Sequence, residues 1–289
     1  MPGLKEIRKR IVSVKSTRQI TKAMKMVSAA KFRKAQGRIL ELRPYADKMN
    51  SVLSGLSKSV ETVHPLLELR PKKTVEIVVF TSDRGLCGAF NTNVIKTALK
   101  LIKDIQQEGI NISISTIGKK GLDLLKRRGF SIRKSYTGLS GRISYSNAKE
   151  IAKDIIENYI NESFDEVIII YNEFKSALVQ RVRTSRLLPI SSVSSEESAQ
   201  DKTVDFLYEP SKQEIFNNLL PKNIEVQVFR ALLDSGASEE AARMTAMENA
   251  TKAADDMIAS LTLQYNKARQ AAITKELMDI VGGVEALKH

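Results

Sequence analysis

The sequence predicts an α/β protein: two long terminal helices wound together as an antiparallel coiled coil, with a doubly wound α/β domain between them. Three observations carry that expectation. From Phe32 an unbroken three-four spacing runs through Ala35, Ile39, Leu42, Ala46, Met49, Leu53, Leu56, Val60 and Val63, the stripe of a helix seam. A second seam occupies the other end, through Met247, Ala254, Ile258, Leu261, Tyr265, Ala268 and Ala272 and then, in a second register, Ile273, Leu277, Ile280, Val284 and Leu287, with no proline after position 221. A helix of some 60 residues runs about 90 Å, longer than a compact domain is wide, so it needs a companion, and the first seam is the only match. Between the seams β-branched runs alternate with amphipathic segments, the pattern of a doubly wound sheet. The expected divisions are 1–73, 74–205 and 206–289.

Taken in order, Leu4, Ile7, Ile11 and Val14 open the first helix with a narrow apolar stripe. Arg18 and Thr21 fall where the next seam positions belong, and the register is expected to resume shifted, through Ile20, Met24 and Val27. The stretch ITKAMKMVSAAKF (20–32) reads either as an ordinary helix face or as a small-residue, methionine-rich surface on which a neighbour can repack. Pro44 is a potential kink and His64-Pro65 a stop. The run VEIVVF (75–80) is typical of a buried parallel strand, and the loop SDRGLCGAFN leads from it into a helix ending near Gly109. ISISTI (112–117) predicts a second strand, GKKG a turn, LDLLKRR a short helix stopped by Gly129, and residues 146–160 a further amphipathic helix. VIIIY (167–171) reads as another buried strand, and LVQRVRTSRLLPI alternates like an edge or antiparallel strand. The serine-rich stretch 191–202 reads as a loop, and FLYEPS (206–211) leads into the terminal helix with Ser211 as its N-cap.

The formal net charge of +13 is unevenly placed. Residues 1–45 hold seven lysines and six arginines against Glu6 and Glu41, so 13 minus 2 leaves +11 there and +2 for the rest. Cations near a helix N-terminus oppose its dipole, so Lys5, Arg8, Lys9 and Arg10 point instead to an acidic partner: nucleic acid, anionic lipid or a carboxylate-rich protein. The single Cys87 excludes an internal disulfide and any multi-cysteine metal site. No apolar run reaches the length of a membrane span and the start has no secretory core, which together predict a soluble intracellular protein.

The loop 81–91 is the natural place for a site, since ligands of open α/β sheets bind beyond the carboxyl ends of strands. G-L-C-G matches neither the dinucleotide fingerprint nor the phosphate loop. Gly85 and Gly88 are expected to serve the strand-to-helix turn, with Asp83 or Ser82 holding backbone amides, and Cys87 to be a buried small residue with no basic partner. His64 and His289 lack companions for metal binding or acid-base work. Glu239-Glu240 and Asp255-Asp256 are expected on a solvated helix face. Arg243, Arg269 and Gln270 stand out as large polar residues among alanines, and the fork of Arg269 suits a carboxylate as well as it suits solvent. No catalytic constellation emerges, which favours a mechanical or binding protein over an enzyme. A nucleic-acid-binding coiled coil and a nucleotide-dependent enzyme built on the 82–88 loop are the rivals. The first lacks aromatics among its basic residues, Phe32 and Tyr45 being the only ones before position 64.

The blocks SVKSTRQITKAMKMVSAAKFRKAQ (13–36), TSDRGLCGAFN (81–91), YNEFKSALVQ (171–180), LYEP (207–210), SEEAARMTAMENAT (238–251) and LQYNKARQAAITKELMDIVGGVEAL (263–287) closely resemble the γ subunit of bacterial-type ATP synthases, in family order and across the whole chain. The resemblance implies a central rotor shaft, with a Rossmann-like middle domain, that turns inside a hexamer of α and β subunits and stands on the ε subunit and the membrane ring of c subunits. It implies that proton or sodium flow turns the shaft and that nucleotide and magnesium are bound by the partners, with no cofactor, no metal and no catalytic residue in this chain. It implies a peripheral position on the cytoplasmic face of a bacterial plasma membrane. By carry-over, Met24, Lys25, Arg269, Gln270, Thr274, Glu276, Ile280 and Leu287 face the α and β subunits, Arg243 is a coupling residue, and Tyr208 and Glu209 meet the c ring and ε. The chain lacks the cysteine-bearing insert of plastid relatives, so the resemblance carries no thiol switch, and Ala89 replaces a glycine common in the loop.

Overall fold

The computed structural model describes residues 3–57, 64–176, 179–190 and 211–286. Val60, Val63, the 191–202 loop, Tyr208, Glu209, Leu287 and His289 lie outside the described residues. Among the described residues, five helices and five strands follow in the order α1 (Leu4–Ser57), β1 (Thr74–Phe80), α2 (Phe90–Gln107), β2 (Asn111–Ile117), α3 (Lys119–Lys126), β3 (Lys134–Tyr136), α4 (Tyr145–Ile160), β4 (Glu166–Phe174), β5 (Gln180–Leu188) and α5 (Lys212–Ala286). The chain divides into two compact units, Met1–Ser28 with Met244–His289, and Ala29–Arg243.

In the larger unit the strands lie in the order β3-β2-β1-β4-β5. The first four are parallel and β5 runs antiparallel to β4, as the alternation of QRVRTSRLL implied. Both faces are covered. Val75, Ile77 and Val79 of β1 pack with Val94, Ala98 and Ile102 of α2 and Leu125 of α3. On the other face Val78 and Phe80 meet Ile151 and Ile155 of α4, together with Met49, Leu53 and Leu56 of α1 and Phe216, Leu220 and Leu232 of α5. Continuous β-branched runs are what a strand buried on both faces requires. One carboxylate interrupts β1: Glu76, fully buried, is neutralised by Arg133 at 3.2 Å, which also reaches Asp154 of α4 at 2.8 Å. Strand β3 carries no sequence signal, being three residues long and hydrogen-bonded only along its β2 edge.

Each long helix passes through its proline, Pro44 in α1 and Pro221 in α5, without ending. Helix α5 therefore starts ten residues before the proline-free stretch, and Ser211 caps it, its Oγ accepting from Glu214 N at 3.2 Å. The seam read from Phe32 is buried at Phe32, Ile39, Ala46, Met49, Leu53 and Leu56. Phe32 and Ile39 pack with Leu233, Ala237 and Ala241 of α5, and Phe32 meets the ring of Phe174 edge-on at 5.4 Å.

In the smaller unit the two helix segments are antiparallel: Arg18 forms an ion pair with Asp255, and Lys25 pairs with Glu248 at 3.3 Å. Between them Thr251 Oγ1 donates to Thr21 Oγ1 at 2.8 Å. This corrects the expected register shift. The seam does not move to Ile20 and Val27, which are exposed. It continues through Thr21 and Ser28, both buried; at Thr21 the hydroxyl of Thr251 across the pair offsets the desolvation penalty.

Candidate functional site

The loop after β1 is built by its own carboxylate. Asp83 Oδ1 accepts from the amides of Lys119 and Gly138, each at 3.1 Å, and Oδ2 accepts from Ser140 N at 3.0 Å. One side chain thus ties the start of α3 and the 138–140 turn to the first strand, and its charge sits at the positive end of α3. Gly118, at φ 92°, is obligatory here: a Cβ would fall 2.1 Å from Thr81 O. Leu86 is held at φ 63° with its side chain 63% exposed. Cys87 is buried, 3.3 Å from Asn91 Nδ2, and burial pushes its thiol up, so it is a packed residue and a poor nucleophile.

Glu239 overturns the expectation of a solvated acidic face. It is 6% exposed, and Arg243 one turn later is 8% exposed. Arg243 binds Glu239 through Nη2 and reaches Glu240 with Nη1 at 3.1 Å. Ser140 Oγ donates to the Glu239 carboxylate at 3.0 Å, and Arg243 Nη2 stands 3.5 Å from Gly85 O. Burial raises the Glu239 pKa while Arg243 opposes the shift. The spacing of Glu239 and Glu240 from Arg243, four and three residues, was the available signal for intrahelical pairing. Ser140 had none, since it lies 99 residues away in sequence.

The place where a doubly wound sheet takes its ligand is filled by α5. Ser238 Oγ donates to Asn172 O of β4 at 3.2 Å, and Ala237, Ser238 and Ala241 are fully buried. At Gly236 a Cβ would stand 2.7 Å from Ile143 Cδ1. Small residues bring the helix onto the carboxyl ends of the strands, and the crevice left beside Asp83, Gly118, Gly236 and Glu239 has a volume of about 30 Å³, room for roughly one water.

The remaining sequence-derived candidates among the described residues lie in the smaller unit. Met24 and Lys25 are half-buried, Lys25 being held by Glu248. Arg269, Gln270, Thr274, Glu276 and Ile280 are exposed on α5, and Leu277, Met278, Ile280 and Val281 are each more than half exposed. Among the described candidates, Arg243 is the one the structure joins to the 81–91 loop. His64 Nδ1 accepts from Leu66 N at 3.1 Å and so serves a turn. Among the described residues no group of acidic, histidine or cysteine side chains is arranged to hold a metal, and no helix is long and apolar enough to cross a membrane.

Comparison with known proteins gives this arrangement its relatives. The chain is 50% identical over 289 residues to the ATP synthase gamma chain of Trichlorobacter lovleyi and 51% identical over 290 residues to that of Geobacter metallireducens, each covered over 100% of both chains. It resembles a chain in the cryo-EM structure of the Tetrahymena thermophila mitochondrial ATP synthase central stalk and c-ring, with 29% identity and a TM-score of 0.60 over 80% of this chain and 99% of that one. A chain of the Euglena gracilis mitochondrial ATP synthase rotor shares the fold, with a TM-score of 0.68 at 23% identity over 93% of this chain and 98% of that one. With a model of the ATP synthase family matching residues 3–287 and half of its residues shared end to end with bacterial gamma chains, this protein belongs to the ATP synthase gamma-chain family.

Proposed function

We infer that the chain is the central rotor shaft of a bacterial ATP synthase and carries torque between the membrane ring of c subunits and the catalytic α/β hexamer. The observation that carries this reading is the far stretch of α5, where Ile273, Leu277 and Ile280, expected on the second-register seam, are not covered within the chain but stand exposed together with Met278. Isolated apolar residues on a surface are ordinary, but a run of them on one helix asks for a covering partner. Arg269, Gln270, Thr274 and Glu276 add polar groups of both signs to the same stretch, which suits contacts that differ from one neighbour to the next. Only such differences can bias the conformational equilibria of three otherwise equivalent catalytic subunits in turn.

In this reading the segments 1–73 and 206–289 are the coiled-coil shaft and 74–205 the α/β domain. Met24, Lys25 and the far end of α5, Leu287 included, meet α and β; Arg243 serves coupling; Tyr208 and Glu209 face the c ring and ε. The chain is not catalytic and binds no cofactor of its own: nucleotide and magnesium belong to α and β, and the crevice that would take a nucleotide in a doubly wound domain is occupied by α5. Protons or sodium ions drive the rotation, and the chain works at the cytoplasmic face of the plasma membrane, held there through its partners. Mixing the purified chain with α and β subunits of a bacterial ATP synthase tests the reading. A stable complex with ATP turnover that the chain alone lacks is expected; turnover by the chain alone, or failure to associate, would overturn it.

A further inference from the structure

The α5 stretch that lies in the larger unit is held by two kinds of contact. Leu232, Leu233, Ala237 and Ala241 pack in apolar clusters, and such contacts are non-directional, so they resist separation better than rotation of the helix about its own axis. Rotation is opposed by a closed circuit of polar contacts. Asp83 grips Ser140 N at 3.0 Å, Ser140 Oγ donates to Glu239 at 3.0 Å, Glu239 binds Arg243, and Arg243 returns to Gly85 O, two residues from Asp83. Hydrogen bonds to charged groups are strong and angle-dependent, and this circuit joins one face of α5 to two loops of the α/β domain.

We propose that Asp83 and Ser140 are positioning residues that fix the Arg243 guanidinium through Glu239, so that this part of α5 and the α/β domain turn together under load. The proposal rests on the rotor reading. Ser140 separates it from a role in folding alone. The residue is half-buried on a turn, where water can replace its hydroxyl with little effect on stability, whereas the serine hydroxyl carries the Asp83 side of the circuit to the carboxylate that holds Arg243.

The test uses the whole complex in inverted membrane vesicles, with ATP hydrolysis and ATP-driven ion uptake measured together. Ser140→Ala is expected to lower uptake per ATP hydrolysed by about three- to fivefold, the weight of one hydrogen bond. Ser140→Thr, which keeps the hydroxyl, is expected to restore it, and Ser140→Ala is expected to add nothing in an Arg243→Ala background, since both act on one path. Wild-type coupling in Ser140→Ala, equal loss in Ser140→Thr, or additive loss in the double variant would overturn the proposal while leaving the rotor reading intact. A wild-type chain that neither assembles nor supports uptake would overturn the rotor reading, and the proposal with it.

Discussion

Between 231 and 243 no residue of α5 is exposed, whereas from 255 to 281 only Ile258, Leu261, Tyr265, Ala268 and Ala272 are even half covered. The two stretches belong to one uninterrupted helix, so helix-forming tendency does not separate them. The first is built of small residues and leucines that let sheet and helices close around it, and it spends its apolar groups inside its own unit. The second satisfies a single narrow seam and leaves Leu277 and Ile280 in solvent. The difference teaches that one half of the helix builds the fold and the other half presents a surface.

The largest expected contrast follows directly. Leu232→Ala removes a side chain 3% exposed in the main core and is expected to destabilise the isolated chain by about 2–5 kcal/mol. Leu277→Ala, at 57% exposure, should change stability by less than about 0.5 kcal/mol. Denaturant titration of both variants reads the difference; equal losses would mean that the far stretch is also packed.

How far the sequence disclosed this depends on which force decides each site. Apolar burial leaves a periodic trace, so the seam from Phe32 to Leu56, the strands VEIVVF and VIIIY and the helices after them could be read directly. The edge character of QRVRTSRLL could be read for the same reason. Polar pairing leaves almost none. Arg18 and Thr21 looked like a break in the seam because Asp255 and Thr251, more than 200 residues away, were not in view. Glu239 looked solvated because its partner Ser140 sits on a turn without pattern. Asp83 was readable as an amide-holding residue, though not the loops it holds. Arg269 and Gln270 stood out as large polar residues among alanines, whereas Thr274, Glu276 and Ile280 came from family resemblance alone, since exposed side chains leave no packing pattern in the sequence.

Arg243→Ala is the next largest change. It leaves Glu239 buried without its cation, which is expected to cost about 3 kcal/mol in thermal or chemical unfolding. The corresponding ion pair of the smaller unit has side chains 42% and 50% exposed at Arg18 and Asp255. Arg18→Ala should therefore cost only about 0.2–1 kcal/mol and less in high salt. A loss at Arg18 as large as that at Arg243 would contradict the division of the helix into buried and exposed stretches.

The pH dependence of the buried stretch gives a further check. Burial pushes the Asp234 pKa from 3.8 to about 6, with Arg230 at 3.8 Å opposing the shift. The folded state then holds a proton that the unfolded chain has lost, so stability from this group is full below about pH 4, falls as pH rises towards 6, and is absent above. The contribution is about 3 kcal/mol. Asp234→Asn should be more stable relative to wild type at pH 8 than at pH 4, measured by urea unfolding at the two values. An unchanged difference would place Asp234 in water. Smallest of all is Ile280→Ala, an exposed side chain whose loss should leave the isolated chain's unfolding within about 0.5 kcal/mol of wild type.

The surface assigned to the far stretch is tested most directly by thiol labelling at Ile280→Cys in a Cys87→Ser background, with and without an α/β hexamer. Rapid labelling of the free chain and strong protection in the complex are the predicted result. Slow labelling of the free chain, or equal rates in both states, would contradict the claim that this half of α5 is kept open for a partner.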